Sequence, residues 1–232
     1  MSYIAEKLQA VTAQIVAAAR NAGRDPSEIA LLAVSKTISP DVLREAHAAG
    51  QRAFGENYLQ EALDKMAALK DLAHDIEWHF IGPIQSNKTR PIAENFAWVH
   101  SVDRLKIAQR LSEQRPAGLA PLNICLQVNV SGEDSKSGCT PQDLPALAHA
   151  VAGLPQLRLR GLMAIPEPAS SEAEQRRPLR QLRELAEQLR AEGLALDTLS
   201  MGMSADLAAA IAEGATMVRI GTAIFGERVY AK

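Results

Sequence analysis

Two cysteines are the whole supply of thiols in this 232-residue chain. Cys125 and Cys139 form no CxxC pair, and two thiols cannot build the disulfide framework of a small secreted domain. The usage points to a reducing compartment. Cys125 lies in an apolar run and reads as a small buried hydrophobe, and Cys139 follows Gly138 in a loop and carries no assigned role. A basic surplus is also missing. The formal net charge is −2, so the chain has no cationic stripe of the kind nucleic-acid binders use. Arginines do gather between Arg176 and Arg190, but Glu174, Glu184, Glu187 and Glu192 are interleaved with them, which marks a solvated helix face. No apolar run approaches the ~18 residues that span a bilayer. The opening MSYIAEKLQAVTAQIVAAAR lacks the basic, apolar and cleavage segments of a secretory leader. These absences together predict a soluble, cytoplasmic protein with no nucleic-acid or membrane partner. No GxGxxG follows the first predicted strand, which counts against a dinucleotide fold. No GxSxG, Cys-His pairing or metal-spaced cluster of His, Cys and Asp is evident either.

What is present is a repeating unit in which a helical segment ends in Gly, a few residues follow, and an apolar run begins. It occurs as AHAAG before QRAFGEN, LRAEG before LALDTLSMG, and AIAEG before ATMVRIG. Glycine just past a helix takes the left-handed conformation that closes the last turn. Ser39-Pro40 and Thr140-Pro141 have the hydroxyl-then-proline form of a helix start. The β-type runs are Ile29–Lys36, Ala53–Asn57, Trp78–Gly82, Trp98–Val102, Asn123–Val130, Leu157–Ile165, Thr198–Gly202 and Met217–Phe225. Strands alternating with helices imply a parallel sheet with helices outside, and this number of strands predicts a closed (β/α)8 TIM barrel. The length suits one α/β domain over 1–232. Ile4, Leu8, Val11, Ile15 and Val16 recur at helical spacing and predict an extra N-terminal helix over about Tyr3 to Ala22. The residues after Phe225 are too few for a last outer helix, and this N-terminal helix is expected to cover that side.

In such a barrel the chemistry lies at the C-terminal ends of the strands. Lys36 closes IALLAVSK on the face shared by Leu32 and Val34. It is either a snorkelling surface residue or a desolvated amine able to attack an aldehyde. In MVRIGTAIFG, Val218 and Ile220 are expected to face the helices, which turns Met217, Arg219 and Gly221 inward. A buried guanidinium needs a polar partner, either a structural ion pair or a polar ligand. Gly221 and Thr222 offer backbone N–H groups and a hydroxyl to a phosphate. Ser204, in LSMGMSADL, is expected to cap a helix over Ala205–Glu213, whose N-terminus would suit an anion. Asn57, His79, Gln127 and Asn129 are further polar residues near strand ends. His79 reads equally as a hydrogen-bonded core residue, and Asn57 and Asn129 equally as loop caps. Lys88 and Lys136 lie in loops on the same face as the proposed site.

At these positions the chain resembles the pyridoxal phosphate homeostasis protein family. LLAVSKT, FGENYLQE, WHFIGPIQSNK, VNVSGEDSKSG, GLMAIP, LSMGMSADL and VRIGTAIFG run in order over nearly its whole length. The resemblance implies a barrel similar to the N-terminal domain of alanine racemase, with pyridoxal 5′-phosphate (PLP) held as a Schiff base on Lys36. It places the phosphate near Ser204, Gly221 and Thr222, Arg219 beside the pyridine nitrogen, and Ser200 and Met201 close to the cofactor. A guanidinium can only donate, so it favours an unprotonated pyridine and weakens the ring as an electron sink. The related racemases add a C-terminal β-domain that supplies a catalytic tyrosine, whereas this chain ends at Lys232 and has only Tyr3, Tyr58 and Tyr230. The expectation is therefore a monomeric PLP carrier or regulator, with apo-enzymes as candidate recipients. The alternatives are a PLP-dependent racemase or related enzyme, and a Schiff-base aldolase without PLP.

Overall fold

The computed structural model describes residues 2–132 and 137–226. Its strands are β1 Ala30–Val34, β2 Ala53–Glu56, β3 Glu77–Phe80, β4 Trp98–Val102, β5 Leu122–Gln127, β6 Leu157–Met163, β7 Thr198–Ser200 and β8 Met217–Ile220. They close in sequence order into a parallel barrel, with β8 returning to β1. The helices are α1 Tyr3–Asn21, α2 Pro40–Ala48, α3 Leu59–Ala68, α4 Thr89–Asn95, α5 Leu105–Gln114, α6 Leu144–Ala152, α7 Glu172–Ala191, α8 Leu207–Ala212 and α9 Thr222–Phe225. No helix among the described residues is long and apolar enough to cross a membrane.

The period-2 pattern of the strands divides the core in two. Ala33, Phe54, Phe80, Val99, Ile124, Leu162, Val218 and Ile220 pack outward into one cluster with the helices. Leu32, Val34, Ile81 and Met217 form one patch inside the barrel, and Trp98, Cys125 and Met163 another. Val218 and Ile220 thus face the helices and Met217 the interior, as the alternation in MVRIG predicts. The N-terminal helix is where the sequence puts it. Ile4, Leu8, Val11, Ile15 and Ala19 are its buried face, and it packs against α2, α8 and α9. Gly50, Gly193 and Gly214, which end three of the helices, all have positive φ.

Several boundaries differ from expectation. β1 stops at Val34, so Lys36 stands in the turn beyond the strand rather than closing it. β8 stops at Ile220, and the rest of its predicted run is the short helix α9. Ser39-Pro40 does open α2. Thr140-Pro141 instead opens a turn. The Thr140 hydroxyl accepts from the Asp143 N–H at 3.1 Å, and α6 begins only at Leu144. Ser204 likewise caps no helix. The Asp206 carboxylate accepts from the Met203 N–H at 2.6 Å, tying off a turn before α8 begins at Leu207.

Candidate functional site

A cavity of about 370 Å³ opens at the C-terminal ends of β1, β2, β7 and β8. Val34, Ile81 and Ile165 form its apolar wall, and Lys36, Asn57, Ser204, Arg219, Gly221 and Thr222 supply its polar groups. A larger surface groove of about 520 Å³ lies along α1, far from the strand ends where polar side chains converge.

Lys36 is held on both sides. On the near side, the Ser35 hydroxyl donates to Glu56 Oε1 at 2.6 Å. On the far side, the Thr37 N–H donates to Glu61 Oε1 at 2.5 Å. Thr37 has φ of 65°, a left-handed conformation that is costly for a β-branched residue and must be imposed by its surroundings. The imposing group is a buried ion cluster. Lys65 Nζ donates to the Ser35 carbonyl at 2.6 Å and to Glu56 Oε1 at 2.8 Å, and it also meets the Glu61 carboxylate. Glu56 is completely buried. Burial pushes its carboxyl above the ordinary range, against the pull of Lys65. Sequence reasoning missed this cluster. The available signal was an acidic residue on the helix-facing side of an apolar strand, with Glu61 and Lys65 at i, i+4 in the helix that follows.

Asn57 follows β2 directly, and its Oδ1 is buried with no hydrogen-bond partner among the described residues. Its backbone is fixed by Gly82. A Cβ on Gly82 would sit 2.1 Å from the Asn57 carbonyl oxygen, so only glycine permits this approach. Ile224 and Phe225 N–H groups both donate back to the Gly221 carbonyl at 2.9 Å, which turns the chain and leaves Gly221 and Thr222 on the cavity wall. Ser204, beyond the neighbouring strand β7, is exposed and also lines the cavity.

Arg219 is the cation at the cavity floor, and it is 4% exposed. One Nη donates to the Ser200 carbonyl at 2.6 Å and to Ser200 Oγ at 2.8 Å, and the other donates to the Ala164 carbonyl at 2.9 Å. Its partners among the described residues are therefore neutral oxygens, and the structural ion pair allowed by the sequence is not formed. Burial pushes its pKa down to about 10, which keeps it a cation at neutral pH.

Three predicted site residues do not line this cavity. His79 is fully buried, hydrogen-bonded to Glu77 and His100, and stacked on Trp98 at 5.3 Å between ring centroids. Ser200 sits behind Arg219. Met201 is fully buried in the helix-facing core. Of the remaining polar strand-end residues, Asn129 caps its own loop, with Oδ1 accepting from the Gly132 N–H at 3.1 Å. Lys88 is exposed beside a neighbouring pocket, and Lys136 and Tyr230 lie outside the described residues. Burial raises the thiol of Cys125 to about 12 and that of Cys139 to about 11, which leaves both unreactive. No cluster of metal-ligating side chains occurs among the described residues.

The family model for the alanine racemase N-terminal domain matches residues 7–229. A Pseudomonas aeruginosa protein named pyridoxal phosphate homeostasis protein is 70% identical over 99% of this chain and 98% of its own length. The structure of PipY from Synechococcus elongatus with PLP bound superposes with a TM-score of 0.85 at 41% identity, covering 96% of this chain and 100% of that one. Alanine racemase from Corynebacterium glutamicum shares the fold at a TM-score of 0.69 and 21% identity, with 99% of this chain matching 62% of the racemase.

Proposed function

The chain belongs to the family of pyridoxal phosphate homeostasis proteins, built on the barrel of the alanine racemase N-terminal domain, and we propose that it binds PLP reversibly as a Schiff base on Lys36. In this reading it acts as a carrier or regulator of intracellular PLP rather than as a turnover enzyme. The observation that carries the reading is one cavity holding an amine, a fixed guanidinium and a wall of hydroxyl and glycine residues. Its volume falls within the roughly 300–1,000 Å³ of small-molecule sites. The orphaned Asn57 Oδ1 is a buried acceptor that a polar ligand group can satisfy.

The residues divide the work by chemistry. Lys36 supplies the nucleophilic nitrogen, and the Ser35 and Thr37 contacts hold its backbone in place. Arg219 offers N–H donors to a ring nitrogen. Ser204, Gly221 and Thr222 suit a phosphate, through hydroxyls and a backbone with no side chain in the way. PLP brings the aldehyde that a lysine amine captures. We read 1–232 as one such PLP-binding domain, acting as a cytoplasmic monomer with apo-enzymes as its recipients.

The test is α-proton exchange on a panel of L-amino acids in deuterated buffer with the PLP-loaded protein. A carrier exchanges no faster than free PLP at the same concentration. Steady exchange well above that rate would make the chain a racemase-like enzyme and overturn the carrier reading.

A further inference from the structure

The interior of the barrel is not purely apolar. A single file of hydrogen bonds crosses it from β3 to β8. Glu77 Oε1 meets His79 Nε2 at 2.8 Å, and His79 Nδ1 meets His100 Nε2 at 2.9 Å. His100 Nδ1 then meets Ser200 Oγ at 2.7 Å, and Ser200 Oγ accepts from Arg219 Nη1 at 2.8 Å. His79, His100 and Ser200 are completely buried. Glu77 opens β3 at the end of the barrel away from the cavity, and its side chain is half exposed.

The chemistry of the two ends dictates the direction of every bond between them. A carboxylate only accepts and a guanidinium only donates. Glu77 therefore requires the proton of His79 on Nε2. A neutral His79 then accepts at Nδ1, so His100 must carry its proton on Nε2. A neutral His100 accepts at Nδ1, so the Ser200 hydroxyl must donate to it, and the Ser200 lone pair is left to face Arg219. Burial favours the neutral form of both rings. The aligned dipoles present their negative ends to the guanidinium and their positive ends to the carboxylate. Trp98, stacked on His79 with the planes 6° apart, holds the first ring in its plane. Three of the five N–H groups of Arg219 are taken by Ser200 and Ala164, so the file and these carbonyls decide which donors turn to the cavity.

We propose that Glu77, His79, His100 and Ser200 are positioning residues for Arg219, through which the carboxylate at the far end of the barrel serves as the distant counter-ion of the guanidinium in the cavity. The proposal rests on the PLP reading only in that Arg219 is taken to meet the cofactor ring. The chain transmits orientation and charge, not a proton, because the guanidinium gives none up at neutral pH.

The experiment has one arm without cofactor and one with it. ¹⁵N spectra of histidine-labelled, cofactor-free protein should show His79 and His100 as neutral Nε2–H tautomers. In Glu77→Ala, the His100 nitrogens should shift although His100 does not touch residue 77. The dissociation constant for PLP should rise about tenfold, the scale seen when a buried partner behind a ligand-holding group is removed. Asp75→Ala serves as the control. Asp75 is a carboxylate two residues before Glu77 that pairs with His47 and Arg52 and is not in the file, so its loss should move neither reading. If Glu77→Ala does not fold, Glu77→Gln keeps an acceptor for His79 and removes only the charge. It should preserve both tautomers and still weaken PLP. An Nδ1–H or charged ring in the wild type, or unchanged PLP affinity in a folded Glu77 variant, would overturn the proposal. A wild-type protein that binds no PLP would remove the proposed function instead, and the cofactor-free spectra would then decide the file alone.

Discussion

Lys36 depends on its neighbours more than on its own side chain. Its two flanking residues are fixed by Glu56 and Glu61, and its reach into the cavity follows from that constraint. Lys36→Ala removes the Schiff-base nitrogen and leaves the phosphate-binding wall intact. PLP affinity should therefore fall without vanishing, as read by equilibrium dialysis. Complete loss of binding would mean that the wall around Gly221 and Thr222 contributes little. The buried histidines make a separate prediction. Both have folded-state pKa values below the ordinary 6.5, mainly through burial. As pH falls through about 6.5, the unfolded chain takes up protons that the folded barrel refuses. Stability is thus full above that pH and declines below it, by up to about 1.4 kcal/mol per pH unit for each ring. Urea midpoints at pH 7.5 and 5.5 measure the decline, and His100→Gln should flatten it.

Between β1, β2 and α3, the ion cluster acts as a clamp. Lys65→Met would leave two carboxylates facing each other and the Ser35 carbonyl with only the Ile38 N–H as its partner. The cost should be about 3 kcal/mol, because removing one partner strands a buried charge. Denaturant unfolding measures it, and a loss under 1 kcal/mol would mean that water replaces the amine. The clamp also marks where sequence reading stops. Strands such as ALLAV and MVRI were legible because alternation along a strand is local, and the amphipathic α1 because its period is local too. Lys36, Arg219, Gly221 and Thr222 were legible as polar residues near strand ends. Ser204 was misjudged because Asp206, two residues on, takes the position before the helix and ties off the preceding turn through the Met203 N–H. The Glu56–Lys65 clamp, nine residues apart, left only the signal of an acidic strand residue ahead of a Glu61–Lys65 pair, whereas the His100–Ser200 contact was not legible, because its partners meet only once the barrel closes. His100 and Ser200 are 100 residues apart in sequence. His79 looked like a ligand because a polar residue in a strand gives the same signal whether it serves the cavity or the interior behind it.

At the scale of the whole molecule, α1 closes the outer layer beside β8. Ile4, Leu8, Val11 and Ile15 are all at most 6% exposed. At about 2 kcal/mol for each buried side chain, their loss removes a share comparable to the 5–15 kcal/mol net stability typical of a domain. Deleting residues 1–21 should abolish cooperative unfolding in urea, and a truncated chain that still melts in one sharp transition would show that the barrel closes without α1. The intact barrel exists, in this account, to hold one amine opposite one guanidinium at a single mouth. The measurement that tests this most directly is an absorption spectrum of the purified protein with PLP, before and after borohydride, followed by peptide mass analysis. The expected result is a visible imine band that borohydride removes, with the reduced pyridoxyl mass on the Lys36 peptide alone. No band, or label spread over surface lysines such as Lys88, would contradict it.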